Sequence, residues 1–352
     1  MNPPGANGDK ADLKGMDGRE TEEWCASMGL PPYRGRQIRQ WVFKKLSASF
    51  DEMTSLSRDL RESLKSEARL DLIRPSEKQD SEDGTQKTLF LLEDGLGIES
   101  VLIPEKDHLT LCISSQAGCA MGCGFCVTGK GGIKRNLAAG EIVDQVIQVR
   151  RTLKVPGELT NIVFMGMGEP LANYDNVLKA VSNIVADDGL NFSTRKVTLS
   201  TCGLAPMIRR LGREATVNLA VSLNAADDRT RSRLMPVNRK HPLAELLSAC
   251  RDFPLPNRRM ITFEYILIRE VNDSPEDARK LVRLLKGIRA KINLIPLNPH
   301  PAVPFAPSTP ERILAFQEIL VRSHMTAIIR KSKGRDIAAA CGQLGGRAAA
   351  GP

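Results

Sequence analysis

The sequence predicts an α/β fold of parallel strands and crossover helices, preceded by a small helical module and a short antiparallel β extension. Three observations carry this. Apolar, β-branched segments alternate with amphipathic helical patterns from residue 112 onward. The hydrophobic period is helical up to about residue 75 and becomes strand-like over residues 87–115. A Gly-rich loop with closely spaced cysteines follows the first of these sheets directly, and α/β folds carry ligands at the carboxyl ends of their strands.

In order, residues 1–19 are rich in Pro, Gly, Asn, Asp and Lys without periodicity, which predicts a disordered tail. Residues 20–75 form the helical module. There Trp24, Met28, Ile38, Trp41, Val42, Leu46, Met53, Leu56, Leu60 and Leu64 recur at helical spacing. Arg34, Arg36, Arg39, Lys44 and Lys45 follow one another without an intervening acid, a face suited to a phosphate backbone. Residues 76–111 are the β extension, with strands expected over 87–93, 97–103 and 109–115 and an Asp94-Gly95 hairpin turn. Residues 112–346 are the catalytic unit. Its strands are expected at 161–165, 196–200, 217–223, 260–268, 291–296 and 326–330. A helix is expected over 140–153, another opens at Ser274-Pro275-Glu276, and a capping box runs from Ser308 to Glu311. About six strand–helix repeats result, short of a closed eight-fold barrel, and residues 347–352 form a tail.

The 352 residues, 41% hydrophobic, suffice for one large and one small domain. No apolar run approaches the roughly 20 residues that span a bilayer, and the first residues lack the apolar core of a secretory signal. A cytoplasmic protein without membrane partners is expected, and eight cysteines there point to ligands or redox chemistry. A net charge of +9 favours a polyanionic partner such as nucleic acid. A basic but otherwise ordinary enzyme is the alternative.

Cys119, Cys123 and Cys126 follow a C-x3-C-x2-C spacing among Gly, Ala, Met and Phe. Gly118, Gly122 and Gly124 are expected to let the loop curl through left-handed angles and converge the thiols, and converging thiolates signal a metal. Structural zinc needs a fourth ligand, and no second knuckle exists; plant-type two-iron sites have a first gap one residue longer. Three local cysteines suit a 4Fe–4S cubane with one open iron; buried structural cysteines are the bland alternative. With Phe125 before the last cysteine, the loop resembles the signature of the radical S-adenosylmethionine superfamily. That resemblance implies a partial (β/α)6 barrel, a 4Fe–4S cluster and S-adenosylmethionine as cofactors.

Further segments narrow the resemblance. Gly166-Met167-Gly168-Glu169-Pro170 stands where the superfamily holds the methionyl amino group. YRGRQIRQW, FDEMTSLS, STCG, LIPLNP and RDIAAACGQL, spread between about Trp24 and about Gly345, resemble the RlmN/Cfr-type radical S-adenosylmethionine RNA methyltransferases. The resemblance implies cofactor contacts at Gly168, Glu169, Ser200, Ser222, Leu223, Asn224 and Asn298, with Asn224 standing where a histidine is common. It implies that Cys341 carries the methyl group, that Cys112 resolves it through a transient disulfide, and that Glu99 accepts a proton. Arg330, Lys331 and Lys333 are expected to lower the Cys341 pKa. Cys202 receives no role, and Cys25 and Cys250 read as packing residues.

The reaction so implied is methylation of carbon 2 of adenine in 23S rRNA, at the peptidyl-transferase centre, and next to the anticodon in tRNA. Carbon 2 lies between two ring nitrogens and is too electron-poor to attack a sulfonium methyl, so the route passes through the cysteine and a radical. Two S-adenosylmethionine molecules per methyl, an electron donor such as flavodoxin, and a monomer complete the expectation. Methylation of carbon 8, a radical reaction on a small molecule, and a non-catalytic iron–sulfur RNA-binding protein are the alternatives.

Overall fold

The computed structural model describes residues 10–345. The chain opens with strand β1 (Ala11–Asp12) and continues through helices α1 (Gly18–Ser27), α2 (Tyr33–Arg39) and α3 (Arg58–Glu67) to β2 (Ala68–Arg69), which pairs parallel with β1. Asp17 caps α1 in a reciprocal box with Glu20. Trp24, Ile38, Trp41, Val42, Phe43, Met53 and Leu64 form the module's core.

Residues 10–19 are therefore folded, against the expectation of a disordered tail; residues 1–9, and 346–352 with the expected C-terminal tail, lie outside the described residues. The ordering comes from partners far along the chain. Lys14 is buried and its Nζ lies 2.5 Å from Asp144 of the catalytic unit. Arg39 is likewise buried: it donates to Asp188 at 2.6 and 3.2 Å, to the Met16 carbonyl and to Asn183. Arg39 thus leaves the expected basic face and serves as an anchor. Arg36 pairs with Glu22, while Lys45 and Arg34 lie over the rings of Trp41 and Tyr33.

Strands β3 (Ile73–Asp80), β4 (Gln86–Leu92), β5 (Gly97–Pro104) and β6 (Leu109–Cys112) form an antiparallel meander, with Asp94-Gly95 at the β4–β5 turn as expected. β3 crosses the expected boundary at residue 75, and the meander is continuous with the main sheet rather than a separate linker. β3 escaped the sequence pattern because it is an exposed edge strand, IRPSEKQD, whose charges, Pro75 and bulge at Pro75/Glu77 discourage further pairing.

After β6 come β7 (Gln116–Gly118), α4 (Val127–Lys130), β8 (Ile133–Asn136) and α5 (Ala139–Thr152). Strands β9 (Leu159–Phe164), β10 (Val197–Thr201), β11 (Asn218–Ser222), β12 (Ile261–Leu267), β13 (Ala290–Pro296) and β14 (Thr326–Ile329) extend the sheet, all in parallel register from β6. Between them run α6 (Tyr174–Val185), α7 (Ala205–Glu214), α8 (Asp228–Leu234), α9 (Leu243–Arg251), α10 (Pro275–Leu285) and α11 (Pro310–Arg322). The sheet order is β14-β13-β12-β11-β10-β9-β6-β5-β4-β3, an open partial barrel with the meander on one flank. Ser274 caps α10 as expected, whereas α11 is capped by Thr309, one residue after the expected Ser308.

Candidate active site

The cluster loop runs from β7 into α4 and is pinned by backbone bonds from Cys119 to Gly132 and from Gly124 to Leu234 at the end of α8. Gly118 and Gly122 adopt φ of +79° and +62°; Gly124 is not left-handed. A Cβ at Gly118 would fall 2.0 Å from the Gly132 carbonyl oxygen, so no other residue fits there. Phe125, Cys202, Leu234, Met235, Ile268 and Leu297 form a small apolar core beside the loop. Burial pushes the Cys119 thiol up to about 11 and raises Cys123 further, and the two thiols feel each other and Cys126.

The sulfurs do not meet at one point. Among the described residues no three His, Cys, Asp or Glu side chains could share a single ion. A cubane would offer a different iron to each thiolate, so Cys119, Cys123 and Cys126 could hold one without converging on a single ion. The surroundings fit the cofactor pair. The Glu169 carboxylate is buried and near enough to Cys119 and Cys123 to raise both thiols, which places an acceptor for an ammonium group beside the loop. Asn298 Oδ1 is buried with no hydrogen-bond partner while its Nδ2 donates to the Cys341 carbonyl at 3.3 Å. A buried orphan acceptor is costly unless a ligand donates to it.

Strand ends build this cradle. After β9, Gly168 takes φ +97°, and a Cβ there would lie 2.5 Å from Gln116, so both the angle and the close approach call for glycine. The Gln116 carboxamide accepts from the Glu169 N–H at 2.8 Å, so β7 sets the position of Glu169. Glu169 in turn accepts from the backbone of Leu171 and Cys202. Ser200 lies within β10 near its end, Ser222 ends β11, and Leu223 follows it, fully buried. Asn224 has φ +57°; its Oδ1 accepts from Ile266 N–H and its carbonyl from Asn272. The carboxamide is therefore committed to joining β11 to β12. Arg231 on α8, missed in the sequence, donates to the carbonyls of Cys202, Ser222 and Leu223.

The C-terminal segment lies across the cluster loop. Val127 N–H donates to Gly342, Thr128 Oγ1 to Leu344, and Gly345 N–H to Glu99 Oε2 at 2.8 Å. Cys341 is exposed as a residue, yet its thiol is hemmed in by enough protein to be desolvated, and it lies within electrostatic reach of Cys126 and Cys112. The expectation of a lowered Cys341 pKa does not hold: burial and then Glu264 outweigh Arg330, and the thiol is pushed up to about 11. Cys112, at the end of β6, is buried and raised higher still, and all eight cysteines carry free thiols. Glu99, on β5, is buried beside Lys87 Nζ at 3.3 Å.

Sequence reasoning also missed a clip between the β3–β4 turn and the residues before Cys341. Ser81 Oγ and Glu82 N–H donate to Asp336, and Gly334 N–H donates to Asp83 Oδ2. Burial alone would raise the Asp83 carboxyl, but hydrogen bonds from Thr85 and Gly334 prevail and bring it down to about 2.

A partial barrel with a three-cysteine loop at the mouth of its strands defines a radical S-adenosylmethionine enzyme, and residues 113–284 match the radical SAM superfamily. Residues 11–70 match the N-terminal domain of ribosomal RNA large subunit methyltransferases. The dual-specificity RNA methyltransferase RlmN of Syntrophus aciditrophicus is 55% identical over 339 residues, 96% of this chain and 97% of its own. That of Geobacter sulfurreducens is 53% identical, covering 96% and 92% respectively. The crystal structure of a radical SAM methyltransferase from Sphaerobacter thermophilus superposes with a TM-score of 0.92 at 47% identity, over 96% of this chain and 99% of that one. The chain belongs to the RlmN family of dual-specificity RNA methyltransferases.

Proposed function

We propose that the chain methylates carbon 2 of adenine in 23S rRNA and in tRNA, through a methyl group carried on Cys341. The observation that supports this most is the seating of residues 342–345 on Val127, Thr128 and Glu99, which brings Cys341 between the cluster loop and Cys112. Cys119, Cys123 and Cys126 hold the 4Fe–4S cluster. Glu169 takes the ammonium group of S-adenosylmethionine, and Asn298 Oδ1 accepts a hydrogen bond from it. Gly168, Ser200, Ser222 and Leu223 shape the rest of the cradle, and Asn224 contributes main-chain contacts only. When bound, the cluster supplies the electron that activates the Cys341 methyl for carbon–carbon bond formation. Each turnover consumes two S-adenosylmethionine molecules, one to methylate Cys341 and one for activation.

Once the methyl carbon has bonded to carbon 2, Cys341 holds the RNA covalently. Glu99 then takes the carbon-2 proton. Cys112, as thiolate, attacks the Cys341 sulfur, so that a sulfur–sulfur bond forms as the carbon–sulfur bond breaks. The released electron pair stays with the former methylene carbon and takes up a proton to complete the methyl group, and the single electron spent on activation is given back. Arg34, Arg36, Lys44 and Lys45 contact phosphates around the target, and the base is read after leaving its stack. The electron comes from a donor such as flavodoxin, and the enzyme acts as a cytoplasmic monomer; among the described residues no helix is long and apolar enough to cross a membrane.

Cys112→Ala protein purified from cells tests the reading. It should carry RNA crosslinked through Cys341, and the crosslink should vanish in the Cys112→Ala/Cys341→Ala double variant. A Cys112→Ala protein free of RNA would overturn the cysteine relay. Mass-spectrometric mapping of the modified adenine distinguishes carbon 2 from carbon 8.

A further inference from the structure

Lys87 has no part in the reaction as described so far, yet its ammonium is placed where it matters. It is on β4, directly across the meander from β5, and its Nζ lies 3.3 Å from Glu99 Oε1. Both side chains are about nine-tenths buried. The other carboxylate oxygen, Oε2, accepts from Gly345 N–H, four residues beyond Cys341. Glu99 is thus held between a fixed cation on the sheet and the segment that bears the methyl-carrying sulfur. A cavity of about 250 Å³ opens beside the pair, lined by Glu77, Gln79, Lys87, Glu99, Asp336 and Ile337. Among the described residues, the charged groups that line this cavity with Glu99 are Glu77 from β3, Lys87 from β4 and Asp336 from the C-terminal segment.

We propose that Lys87 is a positioning residue for the proton-removing step, an inference that rests on Glu99 being the proton acceptor. Burying a carboxylate without a countercharge is costly; Lys87 supplies that countercharge and fixes the orientation of the carboxylate. In the step itself the carbon-2–hydrogen bond of the RNA adduct breaks. Its proton passes to Glu99, and its electron pair stays in the purine ring. The polar cavity is large enough for water and gives the proton an outlet away from the cluster. Lys87 acts after the methyl has left S-adenosylmethionine, so it affects the breakdown of the adduct and not its formation.

The test compares Lys87→Met, Lys87→Gln, Lys87→Arg and Glu99→Gln, each with Cys112 and Cys341 intact. Two quantities are read. One is methylation of Cys341 in protein incubated without RNA, measured by intact mass. The other is the fraction of protein carrying RNA on a denaturing gel, removed by ribonuclease. Lys87→Met, Lys87→Gln and Glu99→Gln should each raise the crosslinked fraction at least about ten-fold, on the scale of a lost acid–base contribution. Cys341 methylation should be unchanged in the Lys87 variants, and Lys87→Arg should return the crosslinked fraction close to wild type. If Glu99→Gln accumulates adduct and the folded Lys87→Gln does not, Lys87 has no such role. If Glu99→Gln itself leaves no adduct, the assignment of Glu99 fails first. Should Lys87→Met not fold, Lys87→Gln decides, and loss of Cys341 methylation in it would mark a general structural role and overturn the proposal.

Discussion

At the residue scale, Asn224 shows how a strand end is turned and tied to its neighbour. Its left-handed backbone turns the chain at the close of β11, and its side chain satisfies the Ile266 N–H that the turn exposes. Asn224→Ala leaves that buried N–H unpaired and places a Cβ-bearing residue without side-chain support at φ +57°. Chemical denaturation should show a loss of about 1–3 kcal/mol, with weaker S-adenosylmethionine binding. The bend of the Cys119–Cys126 loop was legible in the sequence because its cause is local: Gly118 and Gly122 turn the chain among the three thiols, all within fifteen residues. Arg39 was not legible, because its partner Asp188 lies far along the chain and nothing beside Arg39 announces it. The Cys341 thiol misled for the same reason, since its environment is set by Glu264 and burial rather than by the adjacent lysines.

At the element scale, the β3–β4 turn and the segment before Cys341 behave as one unit. Asp83 is lowered from 3.8 to about 2 in the folded chain. A carboxyl depressed on folding contributes fully above its unfolded value and loses that contribution as pH falls toward its folded value. The hold on Gly334 should therefore be complete above about pH 4 and weaken as pH falls through about 2. Hydrogen exchange at the Gly334 amide, corrected for its intrinsic rate, should show protection disappearing over that window. In Asp83→Asn protection should be low throughout; unchanged protection in that variant would sink the idea. The strands of the parallel sheet were readable from their apolar runs, but β3 and the small β7–β8 pair were not. The residues of β3 and β8 are mostly exposed and β7 is only three residues long, so all three are set by what they pair with.

At the scale of the whole molecule, three charged contacts among the described residues join the helical module to the barrel: Lys14 with Asp144 of α5, Arg39 with Asp188 just beyond α6, and Glu20 of α1 with Lys179 of α6. Desolvation already raises the Asp144 carboxyl, with Lys14 pulling the other way. Lys14→Met would leave that carboxylate buried and uncompensated, a loss of about 3–5 kcal/mol. Urea unfolding should show it as a shift of a single transition, and the double variant Lys14→Met/Asp144→Leu should recover most of the loss. Two transitions in the wild-type protein would show that the module and barrel fold independently. The strand–helix alternation made the barrel legible from the sequence, whereas residues 10–19 looked disordered because their order comes from partners distant in sequence: β2 and Arg39 of the module, and Asp144 and Asn183 of the barrel.

The ten strands end in two free margins, β3 on one side and β14 on the other. What bridges them is no strand pairing but the contacts that Ser81, Glu82 and Asp83 make with Gly334 and Asp336. A fastening of this kind can be unbuckled without tearing any rung of the ladder, so the two margins can part while all ten strands stay paired.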